Sequence, residues 1–212
     1  DVCSSDLKWI TQYPGQSVNY VESHDNLTLA DKITSSVKGV SPAGIAQLSH
    51  FATSVAFLAQ GVPFMQAGQE FLRSKNGDEN SYKSSDEVNS LKWSTKARNA
   101  TTTKYFQGLI ALRKAHPAFR MSTAAAVKAN LKFIPTTDDV IAYTLNGKAV
   151  KDSAKLIVVI HNPNPGATSV TLPNKGKWKV LVKGSVAGTK AIETLSTNKV
   201  SVAGQTTMVL TQ

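Results

Sequence analysis

Residues 42–68, PAGIAQLSHFATSVAFLAQGVPFMQAG, place a long helical pattern directly before a short apolar run. Apolar residues recur at helical spacing over residues 42–60, with Pro42 in the first turn and Gly61 just past the end. Five side chains share the predicted buried face of this helix: Ile45, Leu48, Ala52, Val55 and Ala59. The run VPFMQAG at residues 62–68 predicts a short apolar strand bounded by Gly61 and Gly68. A helix followed by such a strand is typical of parallel α/β architecture.

The same alternation extends to both sides of this segment. Residues 16–22 predict a short strand, and residues 101–115 predict a second amphipathic helix that Pro117 ends. The buried face of that helix is predicted to hold Tyr105, Leu109, Leu112 and Ala115. Residues 69–95 between them are polar and irregular. Two strand–helix units cannot close a barrel or a doubly wound sheet, so we expect them to be the end of a larger α/β domain.

After residue 121 the hydrophobic period changes to two. Six runs predict strands: NLKFIP, VIAYTLN, KLIVVIHN, TSVTLP, WKVLVKG and TTMVLTQ. Turn-forming residues separate them, including Pro163-Asn164-Pro165-Gly166 and Asn174-Lys175-Gly176. Short strands with frequent turns are typical of an antiparallel β-sandwich, which we expect over residues 121–212.

Composition excludes several classes of protein. The chain has 212 residues, of which 41% are hydrophobic, as in globular domains. No apolar run reaches the ~20 residues that a membrane-crossing helix needs, so we expect no membrane partner. Cys3 is the only cysteine, so an internal disulfide is impossible. A single cysteine is usual in the cytoplasm and is also compatible with a secreted bacterial protein.

The net charge of +10 comes mainly from the second half of the chain. Residues 121–212 contain 11 lysines, no arginine and 4 acidic residues. Proteins that bind nucleic acids commonly use arginine for bidentate contacts with guanine and phosphate. Lysines dispersed along strands instead favour a solvated face that resists aggregation. We therefore expect no nucleic-acid partner.

Polar clusters follow both predicted strands of the first half. The segment VNYVESHDNLT at residues 18–28 gathers Glu22, His24, Asp25 and Asn26, and the second strand ends in Gln66–Glu70. The irregular loop 73–90 comes next. Functional side chains of a parallel barrel lie at the carboxyl ends of its strands, so the three clusters are predicted to converge on one face.

Several of these residues also admit other interpretations. Asn26 is a candidate N-cap for a helix beginning at Leu27. His24 and Asp25 are alternatively a hydrogen-bonded pair in the core. Glu70 fits a buried carboxylate that holds the loop above it better than a catalytic group.

Two kinds of site are disfavoured by spacing. Ser23, His24 and Asp25 are adjacent, and neighbours on a strand point in different directions, so a catalytic triad is not expected. The run HDNLTLAD has too few oxygen ligands for a calcium loop, and we expect no metal or other cofactor. We expect structural roles for His50 and His116, and a turn at His161-Asn162-Pro163.

The segment NYVESHDN at residues 19–26 resembles the last conserved segment of the α-amylase family of glycoside hydrolases. Residues 59–93, AQGVPFMQAGQEFLRSKNGDENSYKSSDEVNSLKW, resemble more narrowly the type I pullulanases of that family. YFQGLIALRKAHPAFR resembles their last barrel helix, and VIAYTL, IVVIHNPNPG and LPNKGKW resemble their C-terminal β-domain. The resemblance covers residues 8–212.

The resemblance implies an α/β plus all-β fold. Residues 8–120 would be the last βα units of a (β/α)8 catalytic barrel, followed by the antiparallel β-sandwich. It implies a retaining hydrolase of α-1,6-glucosidic bonds in pullulan, starch or glycogen. Asp25 matches the carboxylate that stabilises the transition state, and His24 matches the histidine that hydrogen-bonds the same sugar. Four loop residues would line the substrate cleft: Asn80, Tyr82, Asp86 and Asn89.

The resemblance also implies that the nucleophilic aspartate and the general-acid glutamate lie on earlier barrel strands. A retaining hydrolase needs both carboxylates roughly 5–5.5 Å apart. We therefore expect the chain alone to be inactive, with the missing N-terminal barrel as its partner. Residues 1–7, DVCSSDL, do not fit and resemble translated adapter sequence, which predicts a non-native leader. A non-catalytic carbohydrate-binding protein is the alternative.

Overall fold

A computed structural model describes residues 11–137 and 139–212. The proposed leader at residues 1–7 lies outside this range. The described chain contains α-helices, one large antiparallel sheet and a short parallel strand pair. None of the helices in these two ranges is long and apolar enough to cross a membrane.

Six α-helices occur in the described ranges: α1 (Leu29–Ser36), α2 (Pro42–Leu58), α3 (Asp86–Asn89), α4 (Ser94–Arg98), α5 (Ala100–Ala115) and α6 (Ala124–Asn130). The predictions of α2 and α5 are confirmed to within two residues at each end. Ser41 caps α2, because its hydroxyl accepts the N–H of Gly44 at 3.1 Å. Helices α3, α4 and α6 were not predicted.

Strands β1 (Val18–Asn19) and β2 (Val62–Pro63) pair in parallel. Both are much shorter than the predicted 16–22 and 62–68, although they lie within those segments. Apolar side chains on and beside the pair are between 43% and 55% exposed: Val18, Tyr20, Val62 and Phe64. The rings of Tyr20 and Phe64 contact each other edge to face, with centroids 5.9 Å apart.

Seven strands form one antiparallel sheet: β3 (Leu131–Phe133), β4 (Ile141–Asn146), β5 (Leu156–Asn162), β6 (Thr168–Lys183), β7 (Val186–Ala187), β8 (Glu193–Val202) and β9 (Thr206–Thr211). Their order is β3-β4-β5-β9-β6-β7, with β8 paired to β6. One face packs on α2 and α5, where the apolar cluster includes Leu58, Leu109 and Val209. This core therefore joins helices from before residue 120 to strands from after it.

The predicted turn at residues 174–176 is wrong, because β6 continues through it with a bulge. The register against β8 shifts between Thr171 and Gly176. Val170 and Val180, on either side of the bulge, both belong to a second apolar cluster. Beyond the bulge, β6 pairs with β9 as well as with β8. Strand β8 was not predicted at all.

The buried face of α2 also differs from the prediction, because polar residues occupy much of it. Val55 is 39% exposed, whereas His50 and Ser54 are buried. Ser54 Oγ lies 2.8 Å from the Tyr105 hydroxyl, and His50 Nε2 lies 3.1 Å from Thr102 Oγ1. These hydrogen bonds to α5 compensate for the desolvation of the polar groups. Because the buried face contains polar residues, the periodicity of apolar residues in the sequence could not identify it.

Helix α5 buries Tyr105, Leu109 and Leu112 as predicted, but Ala115 is exposed. The chain after α5 is fixed by a second polar contact. His116 Nδ1 lies 2.7 Å from Asp152 Oδ1, and the other oxygen of Asp152 accepts the N–H of Ala118 at 3.1 Å. This pair ties the end of α5 to the segment before β5.

Candidate functional site

A pocket of about 590 Å³ lies where the polar segments after β1 and β2 meet the loop 73–90. Its lining comprises His24, Asp25, Gln66, Arg73, Lys75, Asn80, Ser81, Tyr82 and Asn89. All three predicted polar clusters contribute to it. The predicted convergence on one face is therefore confirmed.

The turn after β1 presents His24 and Asp25 to this pocket, and both side chains are exposed. This exposure excludes the buried core pair. The interpretation of Asn26 as an N-cap is wrong, because Asn26 adopts a left-handed conformation with φ 67°. Its side chain accepts the N–H of Leu27 at 2.7 Å, while Thr28 caps α1. Asn26 thus shapes the turn instead of the helix end.

Glu22 lies behind the turn and is only 5% exposed. Its Oε2 accepts the N–H of Leu29 at the start of α1, which closes the segment 22–29. Burial raises the pKa of Glu22 to about 7, although the hydrogen bond from Leu29 opposes that shift. Glu22 is not part of the pocket lining.

The loop 73–90 contributes Asn80, Tyr82 and Asn89 to the pocket, and Tyr82 is 74% exposed. Asn89 Nδ2 donates to the carbonyls of Ser81 at 2.7 Å and Ser84 at 3.0 Å. Both donors of the Asn89 amide are therefore used within the loop, which leaves its oxygen for a ligand. The fourth predicted loop residue, Asp86, begins α3, is exposed and does not line the pocket.

Gln66 begins a polar cluster that the sequence predicted. Three other pocket residues were not singled out from the sequence: Arg73, Lys75 and Ser81. Within the described ranges, Gln66 Oε1 and Arg73 Nε are buried without a hydrogen-bond partner. Each could bond a polar ligand. No sequence pattern indicates that Lys75 lines a pocket, because a lysine in a polar loop is usually solvated.

The other candidates lie outside the pocket lining. Glu70 was expected to be a buried carboxylate that holds the loop above it, but it is only half-buried and accepts the N–H of Gly68, two residues earlier, at 2.9 Å. Burial lowers the pKa of both His50 and His161 to about 4, so both are neutral at physiological pH. His161 lies at the end of β5 and contacts Thr207 Oγ1 at 2.8 Å. His50 and His116 have the structural roles that were expected.

The pocket combines groups that suit a polyhydroxylated ligand. Asp25 can accept from hydroxyl groups, and amide side chains can donate and accept. The exposed Tyr82 offers an apolar ring face for stacking. Asp25 is the only carboxylate among the lining residues in the described part of the chain. The same ranges contain no group of three or more His, Cys, Asp or Glu residues that could hold a metal ion.

Comparison with known proteins finds similarity to pullulanases in sequence and in structure. A family model for the all-beta domain of pullulanase matches residues 127–186. The pullulanase of Bacillus subtilis (strain 168) is 41% identical over 172 residues, covering 81% of this chain and 24% of that protein. The chain therefore spans about a quarter of the length of that relative.

Solved structures give the same result. The pullulanase from Bacillus acidopullulyticus superposes with a TM-score of 0.93 at 39% identity, covering 98% of this chain and 25% of that one. The pullulanase from Paenibacillus barengoltzii, in complex with maltohexaose and alpha-cyclodextrin, superposes with a TM-score of 0.88 at 42% identity. That match covers 98% of this chain and 31% of the other.

Proposed function

This chain is homologous to the pullulanases, and we propose that it is a C-terminal segment of a debranching glycoside hydrolase. The whole enzyme would cleave α-1,6-glucosidic bonds in pullulan, starch or glycogen with retention of configuration. The observation that carries the proposal is that His24 and Asp25 face a polar pocket beyond the end of a parallel strand. Enzymes built on parallel barrels have their active sites at this end of the strands.

The exposed strand pair supports a larger barrel. Parallel sheets are normally covered on both faces, and a lone two-stranded sheet is at best marginally stable in water. The apolar residues Val18, Tyr20, Val62 and Phe64 are nevertheless about half exposed. We propose that residues 8–120 form the last βα units of a (β/α)8 barrel whose preceding strands cover these side chains. Residues 121–212 would form the β-sandwich domain, with the bulged β6 joining its layers.

We assign Asp25 the role of transition-state stabiliser. Its carboxylate would accept hydrogen bonds from two adjacent hydroxyls of the sugar at the cleavage point. His24 would hydrogen-bond the same sugar. These hydrogen bonds would strengthen as positive charge develops on the sugar ring in an oxocarbenium-like transition state. Both residues are exposed and line the pocket, which supports this role.

The loop 73–90 would bind further sugar units of the α-glucan. Tyr82 would stack on a pyranose ring, and Asn80 and the free oxygen of Asn89 would bond hydroxyl groups. Asp86 was expected to join this set, but its position outside the lining gives that role less support. The complex of the Paenibacillus barengoltzii relative with maltohexaose supports an α-glucan as the ligand.

Hydrolysis requires two further carboxylates in defined positions. The pocket lining supplies only Asp25 within the described ranges, and Glu22 is turned toward α1. We propose that the nucleophile and the general acid come from the remaining part of the barrel. The isolated chain would then bind α-glucan weakly and hydrolyse none.

The test compares this chain with the product of the longest reading frame that contains it. Incubation with pullulan should release reducing ends only with the longer protein, and proton NMR should detect the α-anomer first. Maltooligosaccharide binding without hydrolysis by the longer protein would favour the non-catalytic alternative. Failure of both proteins to bind or cleave any α-glucan would overturn the proposal.

A further inference from the structure

Lys75 is an unusual lysine, because it is buried to 2% exposure beside the pocket. Its ammonium donates a hydrogen bond to the main-chain carbonyl of His24 at 3.0 Å. Within the described ranges, no carboxylate lies at ion-pair distance from it, although its charge interacts with the carboxyl groups of Glu22 and Asp78. A buried cation without a paired carboxylate is unfavourable for stability, so packing alone does not account for a lysine here.

The main chain at Lys75 is itself held firmly. The Lys75 N–H donates to Asp31 Oδ2 at 2.7 Å, and the Ser74 hydroxyl donates to Asp31 Oδ1 at 2.5 Å. Asp31 lies in the first turn of α1 and is 9% exposed. The loop is thus anchored to a helix immediately before the side chain that reaches the turn.

The turn that Lys75 contacts is fixed at its ends and depends on side-chain contacts between them. Glu22 holds its base to Leu29, and Asn26 adopts its left-handed conformation at the tip. The carbonyl of His24 lies between these points and belongs to the peptide bond that joins His24 to Asp25. Fixing that carbonyl restricts ψ of His24 and φ of Asp25, which set the directions of both side chains.

We propose that Lys75 is a positioning residue, whose ammonium orients His24 and Asp25 toward the sugar through the His24 carbonyl. The inference deepens the proposed function and rests on it for its effect on catalysis. Its structural part, that Lys75 orders the turn, is independent of which ligand the pocket takes. A misplacement of about 1 Å in such a group is enough to lower a rate about 100-fold.

The catalytic test uses Lys75→Met in the longer protein, with Lys92→Met at an exposed lysine as the matched control. We expect kcat on pullulan to fall about 10- to 100-fold with KM changed less than about threefold. Lys92→Met should leave both unchanged. An unchanged kcat per folded molecule, with only a lower melting temperature, would overturn the proposal by reducing Lys75 to a structural residue.

The structural test measures backbone 15N NMR order parameters of residues 24–26 in this chain. Lys75→Met should lower them from the range of rigid backbone, about 0.85, to below about 0.6, whereas Lys92→Met should leave them unchanged. This readout still tests the positioning role if the longer protein proves inactive and the proposed function fails. Lys75→Gln is the second variant in case Lys75→Met does not fold. Unfolding of both variants, or unchanged order parameters, would contradict the inference.

Discussion

Arg113 lies on α5 and caps the C-terminal end of helix α2. We expect its replacement to lower the stability of the fold severely. Its guanidinium donates to the carbonyls of Phe57 at 2.8 Å, Ala59 at 2.7 Å and Gly61 at 2.6 Å. Phe57 lies in the last turn of α2, whose carbonyls have no partner within the helix. Burial lowers the pKa of Arg113 to about 10, so it remains charged at neutral pH and complements the helix dipole.

The change Arg113→Met keeps most of the side-chain volume and removes all three donors. A buried polar group without its partner costs about 1–3 kcal/mol, and neighbouring groups share the loss. We therefore expect the free energy of unfolding to fall by about 3–5 kcal/mol. Arg113→Lys keeps the charge but cannot reach three carbonyls in different directions, so it should recover no more than about half of the loss.

Urea denaturation of this chain, followed by tryptophan fluorescence, measures the effect because Trp178 is fully buried. The matched control is Lys114→Met at the exposed neighbouring position, which should change the free energy by less than about 0.5 kcal/mol. If Arg113→Met loses less than about 1 kcal/mol, or Arg113→Lys equals the wild type, the assigned role of the three carbonyls is wrong.

Three further changes test other contacts. A Cβ on Gly108 would lie 1.9 Å from the Ala187 carbonyl oxygen, so Gly108→Ala should lower the unfolding free energy by about 1–3 kcal/mol. The control Gly188→Ala, where a Cβ would meet open space, should not lower it. Denaturant midpoints of the two variants measure the difference. Burial lowers the pKa of His161 to about 4, so the unfolded chain binds more protons between pH 4 and 6.5. His161 should therefore contribute a loss of about 3 kcal/mol as pH drops through this range, in addition to the loss from His50, and a pH series on His161→Asn should lack that part of the slope. The pKa of Glu22 is raised to about 7, so its contribution has the opposite sign: stability falls as pH rises from 4.5 to 7. Glu22→Gln should therefore gain stability relative to the wild type at pH 8, by up to about 3 kcal/mol, and an equal or lower midpoint would contradict the burial argument.

Local sequence patterns were sufficient for the long helices and for the position of the pocket. The helical period and the flanking Pro42 and Gly61 located α2, because both signals act within the segment itself. Polar residues after two apolar runs located His24, Asp25 and Gln66. Parallel strands bring their carboxyl ends to one edge, so this convergence follows from topology alone.

Features that depend on partners distant in sequence were not predicted. The buried face of α2 is polar because α5 supplies hydroxyl groups to His50 and Ser54, 51 or 52 residues further along. Strand β8 exposes much of its surface, and its pairing with β6 decides its structure. The role proposed for Lys75 depends on its burial, which the sequence does not indicate because lysine side chains are usually solvated.

The central claim is that Asp25 stabilises charge in a sugar pocket. Its most direct test is kcat on pullulan for Asp25→Asn in the product of the longest reading frame. Glu87→Gln, at an exposed carboxylate outside the pocket lining, is the matched control. We predict that Asp25→Asn lowers kcat about 100- to 1,000-fold without lowering the melting temperature, while Glu87→Gln has no effect. Full activity of Asp25→Asn, or an equal loss in Glu87→Gln, would contradict the account.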